Sequence, residues 1–226
     1  MNTALRGPRA AMRMQAWWRP AAAFAAGALL NSGFAPFEFW PIAVLAPAAL
    51  FALIRGLPPR RAGWTGAAFG TGLFAFGTYW LYTCIHVFGL APIWLTVLLQ
   101  AALIALMAAY SAALCYLANR FWLKPGTSRA LVLPVLWVLL EWLRGWALSG
   151  FPWLSLGYAM IDSPLKGWAP LFGVYGVTWA AAMIAVALNV LLMPRVPLAR
   201  RCRALGAILI LLLVPALLGR HDWTRP

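Results

Sequence analysis

From residue 21 to residue 219 the chain is a succession of apolar runs, at 21–35, 39–54, 64–85, 93–117, 130–148, 169–193 and 204–219. A helix crossing a bilayer upright needs roughly 20 residues at about 1.5 Å each. The third to sixth runs meet that length. The first, second and seventh are short, and must borrow flanking residues such as Trp17 and Trp18 or sit in locally thinned bilayer. Hydrocarbon offers backbone groups no water, and the runs show no barrel-like alternation, so helices are expected. With 64% hydrophobic and 10% charged residues and a mean hydropathy of +0.82, the composition is far from that of a soluble domain. The prediction is an all-α, polytopic transmembrane helical bundle of about seven spans.

The net charge of +14 does not point to nucleic acid, because the basic residues form short clusters between apolar runs rather than one face or arm. Their distribution predicts orientation instead. Arg6, Arg9, Arg13 and Arg19 precede the first run, and Arg55, Arg60 and Arg61 follow the second. Arg120, Lys124 and Arg129 follow the fourth, and Arg195, Arg200, Arg201 and Arg203 follow the sixth. Only Arg144, Lys166, Arg220 and Arg225 fall on the other side. Positive residues stay inside, so the N-terminus is expected in the cytoplasm and the C-terminus outside. The domain reading is a basic cytoplasmic segment (1–20), a helical membrane domain (21–219) and an outer segment (220–226). Bulky residues and proline in Phe34-Ala35-Pro36-Phe37 argue for an uncleaved first span rather than a signal peptide.

Cys84, Cys115 and Cys202 share no metal or redox spacing and read as inert small hydrophobes. No metal or cofactor is expected. In the third run Gly66 and Gly70 form a G-x-x-x-G pair suited to close helix packing. Tyr79-Trp80-Leu81-Tyr82 reads as an interfacial aromatic belt, with His86 behind it as a neighbour of lipid headgroups.

The chain has only four acidic residues, and one of them, Glu141, stands among Trp and Leu in Glu141-Trp142-Leu143-Arg144-Gly145-Trp146. Positions 141 and 144 share a helix face, so carboxylate and guanidinium can meet. Charges in a membrane segment pair, face a protein interior or line a wet cavity. The pair is therefore either a structural lock between helices or a site for a polar headgroup. The following loop, Phe151-Pro152-Trp153-Leu154 to Gly157-Tyr158, is too apolar for a solvated linker and is expected to lie along the outer interface. Asp162-Ser163-Pro164 is expected to start a short helix capped by Asp162 or Ser163.

The ordered motifs Phe34-Ala35-Pro36-Phe37, Trp40-Pro41, Tyr79-Trp80-Leu81-Tyr82, His86, Phe88-Gly89, Glu141-Trp142-Leu143-Arg144-Gly145, Gly150-Phe151-Pro152-Trp153, Gly157-Tyr158, Asp162-Ser163-Pro164-Leu165 and Gly173-Val174-Tyr175-Gly176 resemble the membrane portion of bacterial apolipoprotein N-acyltransferase. The resemblance implies a multi-pass protein of the bacterial inner membrane. It implies an acyl chain moved from a phospholipid donor to the N-terminal diacylglyceryl-cysteine of a lipoprotein acceptor. It also implies that the chemistry belongs to a nitrilase-like domain with a Glu-Lys-Cys triad, following a segment like Arg220-His221-Asp222-Trp223. This chain supplies no such triad, so no catalytic residue is expected in it, and it is expected to be a fragment inactive by itself. Glu141, Arg144, His86, Trp153 and Tyr158 are the candidate headgroup and substrate residues. The competing reading is a small polytopic transporter or lipid-translocating protein, with Glu141 and Arg144 lining a path. The lack of an obvious internal repeat weighs against it.

Overall fold

The computed structural model describes residues 7–121 and 129–218, and every regular element among them is helical. In chain order these are α1 (Gly7–Leu30), a 3-10 turn (Asn31–Gly33), α2 (Ile42–Leu53), α3 (Pro59–Gly77) and the single turn α4 (Trp80–Tyr82), which runs on as a π-helical turn (Thr83–Phe88). Then come α5 (Ile93–Phe121), α6 (Arg129–Trp146), short 3-10 turns at Ala147–Ser149, Leu156–Met160 and Pro164–Trp168, α7 (Ala169–Leu192) and α8 (Leu198–Leu218).

Among the described residues, four stretches are long and apolar enough to cross a membrane: Ile93–Phe121, Leu131–Ser149, Pro164–Leu192 and Leu198–Leu218. They match the fourth to seventh apolar runs. Helix α2 is apolar but has only 12 residues, about 18 Å of helix against a hydrocarbon core of about 30 Å. Helices α1 and α3 carry arginines and glycines within their length.

Helix α3 lies between α1 and α5, and glycine sets both contacts. A Cβ on Gly27 would stand 2.0 Å from the Phe69 carbonyl oxygen, and one on Gly72 would stand 2.1 Å from that of Phe24. On its other face, Gly66 meets the Ser111 carbonyl and Cys115, and Gly70 meets the Ala108 backbone. The expected G-x-x-x-G packing role of Gly66 and Gly70 is therefore seen directly. Helix α7 runs through the centre, with Ala180, Ala181, Ala182 and Ala185 fully buried or nearly so.

Side chains knit the two ends of the bundle differently. At one end, Arg19 Nη1 donates to the Leu53 and Arg55 carbonyls, both at 3.1 Å, and Asn119 Nδ2 donates to those of Ile54 (2.7 Å) and Leu57 (2.9 Å). Asn189 Nδ2 donates to Ala48 O at 2.8 Å, and its Oδ1 accepts from Arg55 Nη2 at 2.9 Å. Arg201 Nη2 donates to Met193 O at 2.9 Å. Several of these carbonyls lie at helix ends, which lack intrahelical partners and attract cations. Exposed Arg60, Arg61 and Arg120 stand at the same basic end. The opposite end is closed by the segment between α6 and α7.

The structure departs from the sequence reading at several boundaries. The link between the first two helices runs from Asn31 to Pro41, longer than the gap at 36–38 between the first two apolar runs, and includes a 3-10 turn. The third run divides, because α3 starts at Pro59, ends at Gly77, and leaves the aromatic belt in α4. The segment after α6 does not merely lie along an interface: Leu156, Met160 and Leu165 are fully buried or nearly so. Of the two expected caps, Asp162 and Ser163, it is Ser163 that caps the turn beginning at Pro164, accepting from Leu165 N at 3.1 Å. Residues 1–6, Lys124 and the expected outer segment 220–226 lie outside the described residues.

Candidate functional site

Helix α6 ends in a reversal that few residues permit. Leu148 (φ 53°), Ser149 (φ 75°) and Gly150 (φ 78°) occupy the left-handed region in succession. A Cβ on Gly150 would stand 2.2 Å from the Gly145 carbonyl oxygen, so glycine is required there. The returning chain is tied to α6 at once, by Phe151 N donating to Arg144 O at 2.8 Å.

Beyond this turn the two charges of α6 take hold of the loop. Both are buried, with Glu141 7% and Arg144 4% exposed. Arg144 Nη1 donates to the carbonyls of Phe151 (2.8 Å) and Trp153, and Nη2 donates to Ser155 Oγ at 3.0 Å. Its Cζ lies 5.3 Å from the centre of the Phe74 ring. Glu141 Oε1 accepts from Trp137 Nε1 (2.9 Å) and from Leu156 N (2.8 Å). Its Oε2 accepts from Thr178 Oγ1 at 2.9 Å, and that hydroxyl accepts from Gly157 N at 2.9 Å. A Cβ on Gly157 would stand 2.3 Å from Val174 O, so the loop reaches Thr178 only because residue 157 has no side chain. The direct Glu141–Arg144 contact expected from their spacing is not what forms. Each charge is satisfied by loop backbone and neighbouring side chains, as burial in low dielectric demands.

Trp153 belongs to this assembly through its carbonyl, while its ring is half exposed, 5.1 Å from the Phe151 ring and 6.2 Å from that of Trp80. Tyr158 follows Gly157 on the same loop and turns its side chain outward, 54% exposed. His86 stands apart on the π-helical turn. Its Nδ1 donates to Ala91 O at 2.8 Å, and its ring lies 5.3 Å from that of Tyr82. Among the described residues no hydrogen bond joins it to Glu141 or Arg144. The structure thus unites Glu141, Arg144 and Trp153, sets Tyr158 at the loop's surface, and leaves His86 on a neighbouring turn.

Three contributors escape sequence reasoning. Trp137 lies four residues before Glu141 on the same helix face, a spacing that was available to find it. Ser155 and Thr178 carry no such signal, since Thr178 lies 37 residues from its carboxylate partner. Beside this network a cavity of about 40 Å³ touches Tyr110, Ser111, Trp137, Glu141 and Arg144. That is room for a water molecule or so, not for an acyl chain.

Cys115 is buried against Gly66, while Cys84 and Cys202 are exposed. Among the described residues no group of three or more His, Cys, Asp or Glu comes together to hold a metal.

These features define a helical membrane domain whose α6–α7 loop is gripped by a buried carboxylate and a buried guanidinium. Residues 26–187 match the model of the apolipoprotein N-acyltransferase N-terminal domain, and the chain belongs to that family. It is 44% identical over 212 residues to the apolipoprotein N-acyltransferase of Azotobacter vinelandii, covering 90% of this chain and 40% of that protein. The Vibrio parahaemolyticus enzyme of the same name is 44% identical over 171 residues, 75% of this chain and 34% of that protein. That of Coxiella burnetii is 38% identical over 206 residues, 90% and 42% of the two chains. The chain therefore spans roughly a third to two fifths of the length of these curated relatives.

Proposed function

We propose that this chain is the membrane module of an apolipoprotein N-acyltransferase of the bacterial inner membrane. It crosses the membrane about seven times, with its basic end in the cytoplasm and the Glu141 end outside. The module anchors the acyl-transfer chemistry at the outer face and admits the phospholipid donor and the diacylglyceryl lipoprotein acceptor beside it. The observation that carries the reading is the Glu141–Arg144 grip on residues 151–157, which fixes one face of an apolar loop and leaves Trp153 and Tyr158 exposed at its surface. Tryptophan and tyrosine at such a level suit the boundary where headgroups lie. The two charges act as positioning groups, and headgroup contact falls to the exposed rings, with His86 as a further candidate on the adjacent turn. A transporter path along Glu141 and Arg144 is disfavoured, because both groups already hold fixed partners and the cavity beside them is small.

Acyl transfer through a thioester needs a nucleophilic thiolate, a base within hydrogen-bond reach and donors aimed at the developing oxyanion. The 226-residue chain is therefore expected to be silent by itself and active when joined to a nitrilase-like domain carrying a Glu-Lys-Cys triad. The test supplies purified chain with phosphatidylethanolamine and a diacylglyceryl-cysteine peptide, and looks by mass spectrometry for an amide-linked third acyl chain. Transfer by the chain alone, surviving replacement of Cys84, Cys115 and Cys202, would overturn the proposal.

A further inference from the structure

A second cavity lies at the basic end, at the opposite end of the bundle from the Glu141 loop. It has a volume of about 140 Å³ and sits where the ends of α2, α5 and α7 meet the start of α6. Its walls are mainly apolar, with Phe51, Ala118, Leu133 and Val186 among them, and Arg55 and Asn189 stand in its lining. That volume is close to a cavity known to hold a benzene-sized guest, so it takes a short alkyl segment rather than a whole chain. Arg55 is held in place by the hydrogen bond from its Nη2 to Asn189 Oδ1, at 2.9 Å. Asn189 is fixed in turn by its own donation to the Ala48 and Ala185 carbonyls. The guanidinium is therefore set at the cleft by a built framework. Three of the four helices that line the cleft belong to the stretches long and apolar enough to cross a membrane. Exposed Arg60, Arg61 and Arg120 add positive charge at the same end.

We propose that this cleft binds an anionic phospholipid of the adjoining leaflet, with part of one acyl chain between α2, α5, α6 and α7 and the phosphate beside Arg55. Apolar walls match the chain, and the arginine cluster matches the phosphate's charge. The site is separate from the acyl donor proposed at the other end, and its occupant joins four helices that otherwise enclose a gap.

The test uses the purified 226-residue chain in a neutral detergent, titrated with phosphatidylglycerol, and reads bound lipid by native mass spectrometry together with the unfolding midpoint. Phosphatidylglycerol is expected to raise the midpoint, with phosphatidylcholine weaker and inorganic phosphate without effect. Arg55→Gln is expected to weaken phosphatidylglycerol binding about fivefold, the worth of one basic residue near a lipid surface. Arg60→Gln, an exposed change at the same end, should weaken it less. Because Arg55 also holds Asn189, two further variants separate binding from folding. Arg55→Lys keeps the charge and should retain most of the binding. Ala118→Leu fills the cleft without touching charge and should release the lipid. Equal binding by Arg55→Gln and wild type, protection by phosphate alone, or undiminished binding by Ala118→Leu would each overturn the site. Loss of acyl transfer would bear on the proposed function, not on this result.

Discussion

Glu141 and Arg144 stand one turn apart on α6, and their hydrogen bonds run past each other into the same loop. The carboxylate takes the amide of Leu156 and, through Thr178, that of Gly157, while the guanidinium takes the carbonyls of Phe151 and Trp153. Opposite charges thus satisfy opposite backbone groups of one segment. The polar backbone of a loop packed against apolar helices needs such partners, because water is scarce there. The pair is a device for burying a loop, and the segment from residue 151 to 157 depends on both members.

Glutamine at position 141 should therefore destabilise the fold despite its near-identical shape. Glu141→Gln replaces one acceptor oxygen by a donor, which must face either Thr178 or the Trp137–Leu156 pair of donors, and it removes the negative charge near Arg144. A loss of about 2–4 kcal/mol is expected, larger than for a surface change. The measurement is thermal unfolding in detergent, with Glu141→Gln, Arg144→Met and the double variant as a cycle. Strictly additive effects would show that the two charges hold the loop independently.

Arginine at position 144 should not be exchangeable for lysine. Arg144→Lys retains the charge but replaces a planar fork by a point donor, and the three acceptors at Phe151, Trp153 and Ser155 match the fork. The expected cost is about 1–3 kcal/mol. The loop should also open to protease between residues 150 and 157. Unchanged cleavage would show that the charge alone suffices.

Much of this was legible in the sequence, and the limits have physical causes. Glu141 and Arg144 are conspicuous because a charge inside an apolar run demands a reason. Gly66 and Gly70 announce a close helix contact by their spacing, and α3 meets α5 there. Their hydrogen-bond partners were not legible, since Thr178 and Leu156 are brought to Glu141 by tertiary packing. The i and i+3 spacing even misdirected the reading, because proximity on a helix does not say whether nearer backbone groups will compete for the same charges. The division of the third run at Gly77 was hidden for another reason: hydropathy is continuous there while the helix is not.

Gly157 gives a sharp steric prediction with an internal control. Gly157→Ala would place a methyl carbon 2.3 Å from the Val174 carbonyl oxygen, a backbone atom that cannot step aside cheaply. It should cost about 1–3 kcal/mol and displace the loop from Thr178. Among the described residues, nothing lies within 4 Å of where a Cβ on Gly206 in α8 would stand. Gly206→Ala should therefore be neutral or stabilise by up to about 1 kcal/mol, as alanine does in a helix interior. Equal effects on the unfolding midpoint would refute the close approach at Gly157.

The proposed orientation makes exposed Asp162 accessible from outside and exposed Arg60 inaccessible. Cys84 and Cys202 are themselves exposed, so the background must lack all three native cysteines. In intact cells Asp162→Cys should react with an impermeant thiol reagent, and Arg60→Cys should react only after lysis. The reverse pattern would invert the module and move its loop to the cytoplasm.

Trp168 and Pro215 provide the last prediction, through a carbonyl that proline leaves without a helical partner. Proline has no amide hydrogen, so Leu211 O, four residues earlier in α8, loses its usual donor. The Trp168 indole Nε1 fills that place at 3.2 Å from the turn preceding α7. Gly167 permits the approach, since a Cβ there would stand 1.9 Å from the Pro215 carbonyl oxygen. Trp168→Phe keeps an aromatic ring but removes the donor together with part of the ring volume, so the Leu211 carbonyl is stranded in an apolar setting. A double-mutant cycle with Pro215→Ala separates the donor from the packing. The cost should be about 1–2 kcal/mol. Pro215→Ala restores an amide that can return to Leu211 O. In that background Trp168→Phe should cost markedly less, giving a coupling energy of about 1 kcal/mol in a double-mutant cycle. If Trp168→Phe costs the same with alanine as with proline at position 215, the indole is a packing group and the carbonyl has found another partner.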